Sequence, residues 1–266
     1  NITGVGNIFS KNILLFFFIK SLYKIFLRNA DYIFFQNYND QKYFINNKIV
    51  NIYKSNFSIL PGSGVDLDYF KNNINNKKIV KSCRFLFSSR FIKEKGIISY
   101  LEAAKYFKNK SPEKYYFYIA GFSMHKQNWY ILNKIKEYAK KKYIINLGYK
   151  TRFQLKNLLN NIDCFVLPTY YNEGVPKSLL EAMAMERFVI IGEKLKSLEL
   201  IQDTINGYYC KTKDTNDLIN KIKKFSTLNK KELKKNLSMS RKKILNYYDL
   251  KIVVNKYNEV IKNIIN

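Results

Sequence analysis

Cys164-Phe-Val-Leu-Pro-Thr-Tyr-Tyr-Asn-Glu-Gly-Val-Pro-Lys-Ser-Leu-Leu-Glu181 passes from a short apolar run, through a loop containing Gly and Pro, into a helical pattern. Strand, loop and helix in that order form one repeat of an alternating α/β chain. Glu173 falls on the loop and Glu181, eight positions on, one turn into the helix. Pro176 suits the first helical position, where its missing N–H costs nothing. The N–H groups of the next residues then point at whatever precedes the helix, which makes the turn an anion site able to take a diphosphate.

Working outward, the alternation continues in both directions. Strands are expected at Phe85 to Ser89, Tyr115 to Ala120, Tyr143 to Leu147, Cys164 to Leu167, Phe188 to Ile191 and Tyr208 to Cys210. Helices are expected at Ile97 to Lys108, Asn128 to Lys141, Arg152 to Asn160 with Thr151 as N-cap, Lys177 to Met185 and Ser197 to Gln202. The expected fold class is therefore α/β, a Rossmann-like doubly wound parallel sheet. Ligands of such sheets bind beyond the carboxyl ends of the strands. Arg90 and Lys95 follow the first strand, Gly121 the second, Gly148 the third and Glu173 the fourth. Before residue 77 the pattern gives a helix from Lys11 to Arg28, a strand Tyr32 to Gln36, a short helix near Asp40 to Asn46 and a strand ending at Ile59. Asn72 to Lys78 reads as a linker, and only helices follow Thr215, the last being Leu250 to Ile264.

Arg90 offers a fixed planar cation and Lys95 a mobile one, a pair suited to two phosphates whose charge grows as a leaving group departs. Glu181 can accept from both hydroxyls of a ribose, and Glu173 is placed for sugar hydroxyls. Plainer readings stand beside these: a solvated helix glutamate for Glu181, and a favourable charge at a helix N-terminus for Glu173.

The chain has 266 residues and a formal net charge of +27, with Lys, Asn, Ile and Tyr abundant throughout. Such charge raises nucleic acid as a partner, yet no reading element accompanies it, and lysines on solvated helix faces explain it. Cys83, Cys164 and Cys210 are odd in number and lie in apolar runs, as reduced thiols do. His125 is the only histidine, in a loop-like stretch, which argues against a His-rich zinc site. Asp66-Leu-Asp68 imitates a metal-anchoring Asp-x-Asp but sits outside the alternating sheet, and Gly4-Val-Gly6 is too short for a dinucleotide fingerprint. In the first helix Lys20, Lys24 and Arg28 recur every four residues. That helix either lies on an anionic bilayer or is buried with one polar stripe facing water.

Glu173-Gly-Val-Pro-Lys-Ser-Leu-Leu-Glu181-Ala-Met-Ala, after Phe165-Val-Leu-Pro-Thr-Tyr-Tyr, closely resembles the Glu-x7-Glu signature of the family 4 retaining glycosyltransferases of GT-B fold. Arg90, Lys95 and Gly96 match that family's diphosphate motif, and Gly62-Ser-Gly-Val-Asp66 with Phe70 looks like its inter-domain loop. Ile2-Thr-Gly-Val-Gly6 is similar to the bacterial branch that builds surface polysaccharide on polyprenyl-diphosphate carriers. The resemblance implies residues 1–76 as the remnant of an amino-terminal acceptor domain plus linker. Residues 77–245 become a nucleotide-sugar-binding domain and 246–266 a helix packing back, in an amino-terminally truncated chain. It implies retaining transfer from a nucleoside-diphosphate sugar, with UDP expected, and no obligatory metal or other cofactor. The implied partners are a lipid-linked saccharide acceptor and the inner face of the plasma membrane, met peripherally from the cytoplasm, with no nucleic acid. Arg90 and Lys95 would stabilise the departing diphosphate, Glu173 hold the donor sugar, and Gly174, Val175, Pro176 and Leu180 line the donor pocket. Glu181 would bind ribose, and Leu147, Gly148 and Tyr149 contact the base. Two stretches depart from the family pattern: Met185-Glu-Arg-Phe188 replaces Gly-x-Pro, and Leu195-Lys196 replaces a glycine pair. A noncatalytic nucleotide-sugar-binding module is the alternative these departures leave open.

Overall fold

The computed structural model describes residues 1–2, 13–51, 56–72, 82–123, 128–171, 173–202 and 205–265. Gly4-Val-Gly6, most of the expected linker, and His125 lie outside the described residues. The elements in chain order are α1 (Ile13–Leu27), β1 (Ile33–Phe35), α2 (Tyr38–Asn46), β2 (Phe57–Ile59), β3 (Cys83–Ser88), α3 (Ile97–Lys110), β4 (Tyr115–Ala120), α4 (Trp129–Lys140) and β5 (Ile145–Asn146). They continue with α5 (Arg152–Asn161), β6 (Cys164–Leu167), α6 (Lys177–Ala184), β7 (Phe188–Gly192), β8 (Gly207–Cys210), α7 (Thr215–Ser226), α8 (Lys230–Tyr248) and α9 (Leu250–Ile265). Two compact units result: Asn1–Asp66 with Tyr171–Lys177 and Asn246–Asn266, and Leu67–Tyr170 with Ser178–Leu245.

The second unit is built on a six-stranded sheet in the order β5-β4-β3-β6-β7-β8, parallel throughout. β3 pairs with β4 on one side, Phe85 opposite Phe117, and with β6 on the other, Phe85 opposite Cys164. The chain reverses its direction of growth across the sheet at that point, so β3 and β6 flank the crevice where such folds bind ligands. Both faces of a parallel sheet are covered, and its strands read as continuous apolar runs. Accordingly every residue of β6 and of β7 is buried. Phe85 stacks on Phe117 at 5.0 Å, and Phe225 of α7 meets Phe188 at 4.9 Å. Each such ring contributes about 1.5–3 kcal/mol by leaving water. Tyr100 of α3 is fully buried and donates its hydroxyl hydrogen to Phe85 O at 3.0 Å and Tyr118 O at 2.9 Å. Burial pushes its phenol well above the ordinary range. Thr151 caps α5 through a reciprocal bond with Gln154, as expected.

In the first unit β1 and β2 form a two-stranded parallel sheet. Phe35 and Phe44 centre a small cluster to which α1 contributes only Tyr23 and Leu27. No residue of α1 is buried, which overturns the buried-helix reading. The expected helix Ser197 to Gln202 is also replaced, by a 3₁₀ turn at Glu193–Leu198. Glu199 follows it at φ 50°, which ends the turn. Asn206 then accepts from Gln202 N–H and donates to Leu200 O and to Ser240 of α8, holding the segment as a loop. β5 is shorter than expected, pairing with β4 only over Ile145 and Asn146.

Candidate donor site

Arg90 leaves the carboxyl end of β3 exposed to solvent. The chain then makes a 3₁₀ turn, Lys93–Lys95, closed by Gly96 at φ 79°. A Cβ at Gly96 would stand 2.2 Å from Pro168 O, so only glycine lets this turn rest against the loop leaving β6. Two further bonds join the same loops: Tyr170 N–H donates to Glu94 O at 2.8 Å, and the Thr169 hydroxyl to Glu94 O at 3.2 Å. Lys95 is thereby held at 5 % exposure, an expensive location for an ammonium. Lys213 lies 5.0 Å over the ring of Tyr170, whose phenol is raised chiefly by burial.

On α6, Glu181 is 6 % exposed between the fully buried Leu180 and Ala182. The solvated-glutamate reading fails on that figure. A carboxylate so placed is out of bulk water, where its charge acts on a neighbour with little screening. On the other side of β3, Gly121 N–H donates to Gly148 O at 2.9 Å and joins the loops after β4 and β5. Gly148 sits at φ 65° with nothing within 4 Å of where a Cβ would be, which leaves its backbone open to close approach. Tyr149 is exposed and meets the ring of Phe122 edge-on at 5.6 Å. The N–H of Leu147 is spent on Ile119 O and that of Gly148 on the side chain of Asn146.

Arg90, Lys95, Leu147, Gly148, Tyr149, Leu180 and Glu181 thus all belong to the sheet-based unit, the first five after the carboxyl ends of β3 and β5 and the last two on α6, the helix that follows β6. Glu173, Gly174, Val175 and Pro176 fall in the other unit, where Val175 packs beneath Gly62. Thr169 and Tyr170, which bind the β3 and β6 loops together, were not singled out from sequence. Their position directly after a fully apolar strand was the available signal. Among the described residues no group of three or more His, Cys, Asp or Glu side chains is arranged to hold a metal ion, and no helix is long and apolar enough to cross a membrane.

Comparison with known proteins gives these features a family. The chain is 29 % identical over 267 aligned positions to N,N'-diacetylbacillosaminyl-diphospho-undecaprenol alpha-1,3-N-acetylgalactosaminyltransferase of Campylobacter jejuni. That match covers 93 % of the chain, and the chain spans 65 % of the relative's length. HepE of Anabaena, solved with UDP and glucose, superposes with a TM-score of 0.73 at 14 % identity over 91 % of this chain and 67 % of that one. Sucrose-phosphate synthase of Thermosynechococcus elongatus gives 0.73 at 17 % identity, covering 96 % and 63 %. The fold is α/β with the parallel sheet of the GT-B glycosyltransferases. The model for glycosyl transferases group 1 matches residues 68–243, more than half of the sequence, and the chain belongs to that family.

Proposed function

We propose that this chain carries the donor-binding part of a family 4 retaining glycosyltransferase, which moves a hexose or N-acetylhexosamine from UDP to a lipid-linked saccharide in surface glycan synthesis. The observation that carries the reading is the pair of loops flanking the β3/β6 switch. Lys95, nearly out of solvent, follows one strand, and Glu181, equally withdrawn on α6, follows the other. A buried cation suits a diphosphate, and a buried carboxylate suits two ribose hydroxyls.

In this reading the bond from the anomeric carbon to the diphosphate oxygen breaks while the acceptor oxygen bonds to the same carbon on the same face. The acceptor's proton passes to an oxygen of the departing phosphate. Arg90 and Lys95 stabilise the charge that grows there, which is the largest contribution a site of this kind makes. Glu173, Gly174, Val175 and Pro176 hold the donor sugar, Leu180 and Glu181 the ribose, and Leu147 to Tyr149 the base; no step calls for a metal. The Campylobacter relative acts, by its name, on an undecaprenol-linked substrate. An acceptor of that kind would be met at the inner membrane face. The exposed apolar side of α1, with Lys20 and Lys24 on the helix and Arg28 directly after it, supports contact with an anionic bilayer.

The test is calorimetric titration of UDP into the wild-type chain and Arg90→Ala, together with transfer from UDP-N-acetylgalactosamine to a short polyprenyl-diphosphate saccharide by the full-length protein. Binding weakened about tenfold or more in the variant is expected from one lost charge-assisted bond. Equal affinity in both chains removes Arg90 from the site. UDP binding without transfer would favour the noncatalytic reading, which the 3₁₀ turn at Glu193–Leu198, in place of a glycine pair, also supports.

A further inference from the structure

We infer that the outer face of α4 is a second, noncatalytic saccharide-binding groove, separate from the donor site. Trp129, Asn133 and Glu137 stand one turn apart along the helix, Tyr130 and Lys134 form the adjoining stripe, and the buried Tyr138 closes its end. These six side chains line an open recess of about 300 Å³. Trp129 is 65 % exposed and Tyr130 also faces solvent.

The chemistry is of a particular kind. Two aromatic faces at one end offer flat, rigid, half-apolar surfaces that lose little entropy on contact. An amide, an ammonium and a carboxylate follow at helical spacing, so donors and acceptors alternate along about 12 Å, the rise of eight helical residues. A sugar ring has the matching character, with C–H groups on its faces and hydroxyls around its rim. The groove is also built rather than incidental. Lys134 is held by Glu102 at 2.5 Å and lies over the ring of Tyr138, whose hydroxyl donates to the same Glu102 at 2.8 Å. Asn128 fixes the start of the helix by donating to Ser123 at 3.0 Å. A bilayer-binding face would gather cations. Here Glu137 is paired with Lys141 and Lys134 with Glu102, so the one lysine that lines the recess is already neutralised. The groove fits a neutral oligosaccharide, such as an acceptor glycan or product chain held close to the enzyme between transfers.

Trp129 is the only tryptophan in the sequence, so fluorescence excited selectively at the indole reports on this groove. The experiment titrates tetra-N-acetylchitotetraose and maltotetraose into the chain, with UDP and anionic phosphatidylglycerol vesicles as separate arms. A saturable blue shift with at least one oligosaccharide is expected, at a Kd on the order of a millimolar. Asn133→Ala should weaken it about fivefold, the equivalent of one neutral hydrogen bond. Tyr130→Ala should weaken it further, and both variants should keep the wild-type melting temperature and UDP affinity. No shift with either oligosaccharide overturns the inference, as does a shift that only vesicles produce or one that survives both substitutions. Failure of UDP to bind while the oligosaccharide shift persists would count against the donor site alone.

Discussion

The two sides of β3 are built to different standards. Toward β6 and β7 every strand residue is buried, α6 is buried from Leu179 to Ala184, and Thr169 is sealed beneath the loop it tethers. Toward β4 and β5 the sheet runs out into a two-residue edge strand whose residues are both exposed, and the rings of Phe122, Trp129, Tyr130 and Tyr149 face solvent. The two buried charges, Lys95 and Glu181, belong to the sealed side and its border. Aromatic surfaces, which bind without demanding a single geometry, gather on the open side. Low-dielectric surroundings strengthen the first kind of contact, while the second works in water.

The comparison breaks most decisively at Lys95. Lys95→Ala should lower kcat/KM for sugar transfer by about 10²–10³. An assay of the full-length protein within about threefold of wild type would mean that the buried ammonium serves packing alone. Next in size is Gly96→Ala. It puts a Cβ against Pro168 O and forces a side chain to φ 79°, and should cost about 2 kcal/mol or more in denaturant unfolding. An unchanged midpoint would show that the β3 and β6 loops are not as tightly apposed as the sealed side requires.

The smallest effect belongs to the open side. Burial pushes the Glu102 carboxyl up, but the Lys134 ammonium and Tyr138 hydroxyl outweigh it, so the group lies below its ordinary 4.5. A carboxylate lowered in this way stabilises the fold above its unfolded value and ceases to do so as pH falls through its native value. Glu102→Gln should therefore cost about 0.5–1 kcal/mol at pH 7, since both partners are about one-third exposed. The difference from wild type should vanish as the pH drops below 4.5. A gap that persists in acid would assign the loss to shape rather than charge.

The sealed side is also the more legible in sequence. Cys164–Leu167 is bounded by Asp163 and Pro168 and contains only apolar residues, so its strand was readable to the residue. Edge strand β5 was not: of the expected Tyr143 to Leu147 only Ile145 and Asn146 pair with β4, a limit set by that neighbour. Ser197 to Gln202 has helical spacing, yet Asn206 and Ser240, the latter 34 positions further along, hold its second half as a loop. No local pattern announces such a contact. Arg90 and Lys95 stood out through their place after a strand and Glu181 through its spacing from Glu173, whereas Thr169 and Tyr170 act through bonds to a distant backbone oxygen. The exposure of α1 depends on what packs against it, which amphipathic spacing does not encode.

Arg241 of α8 sends one guanidinium to Phe70 O at 2.7 Å, to Leu67 O at 3.0 Å and to Ala184 O at the end of α6. A single side chain therefore buckles together the residues by which the chain enters the sheet-based unit and the helix that bears Glu181. Any portable donor module cut from this protein must begin no later than Leu67 and extend past Arg241. A shorter excision, even one keeping all six strands, would leave the last turn of α6 without its clasp.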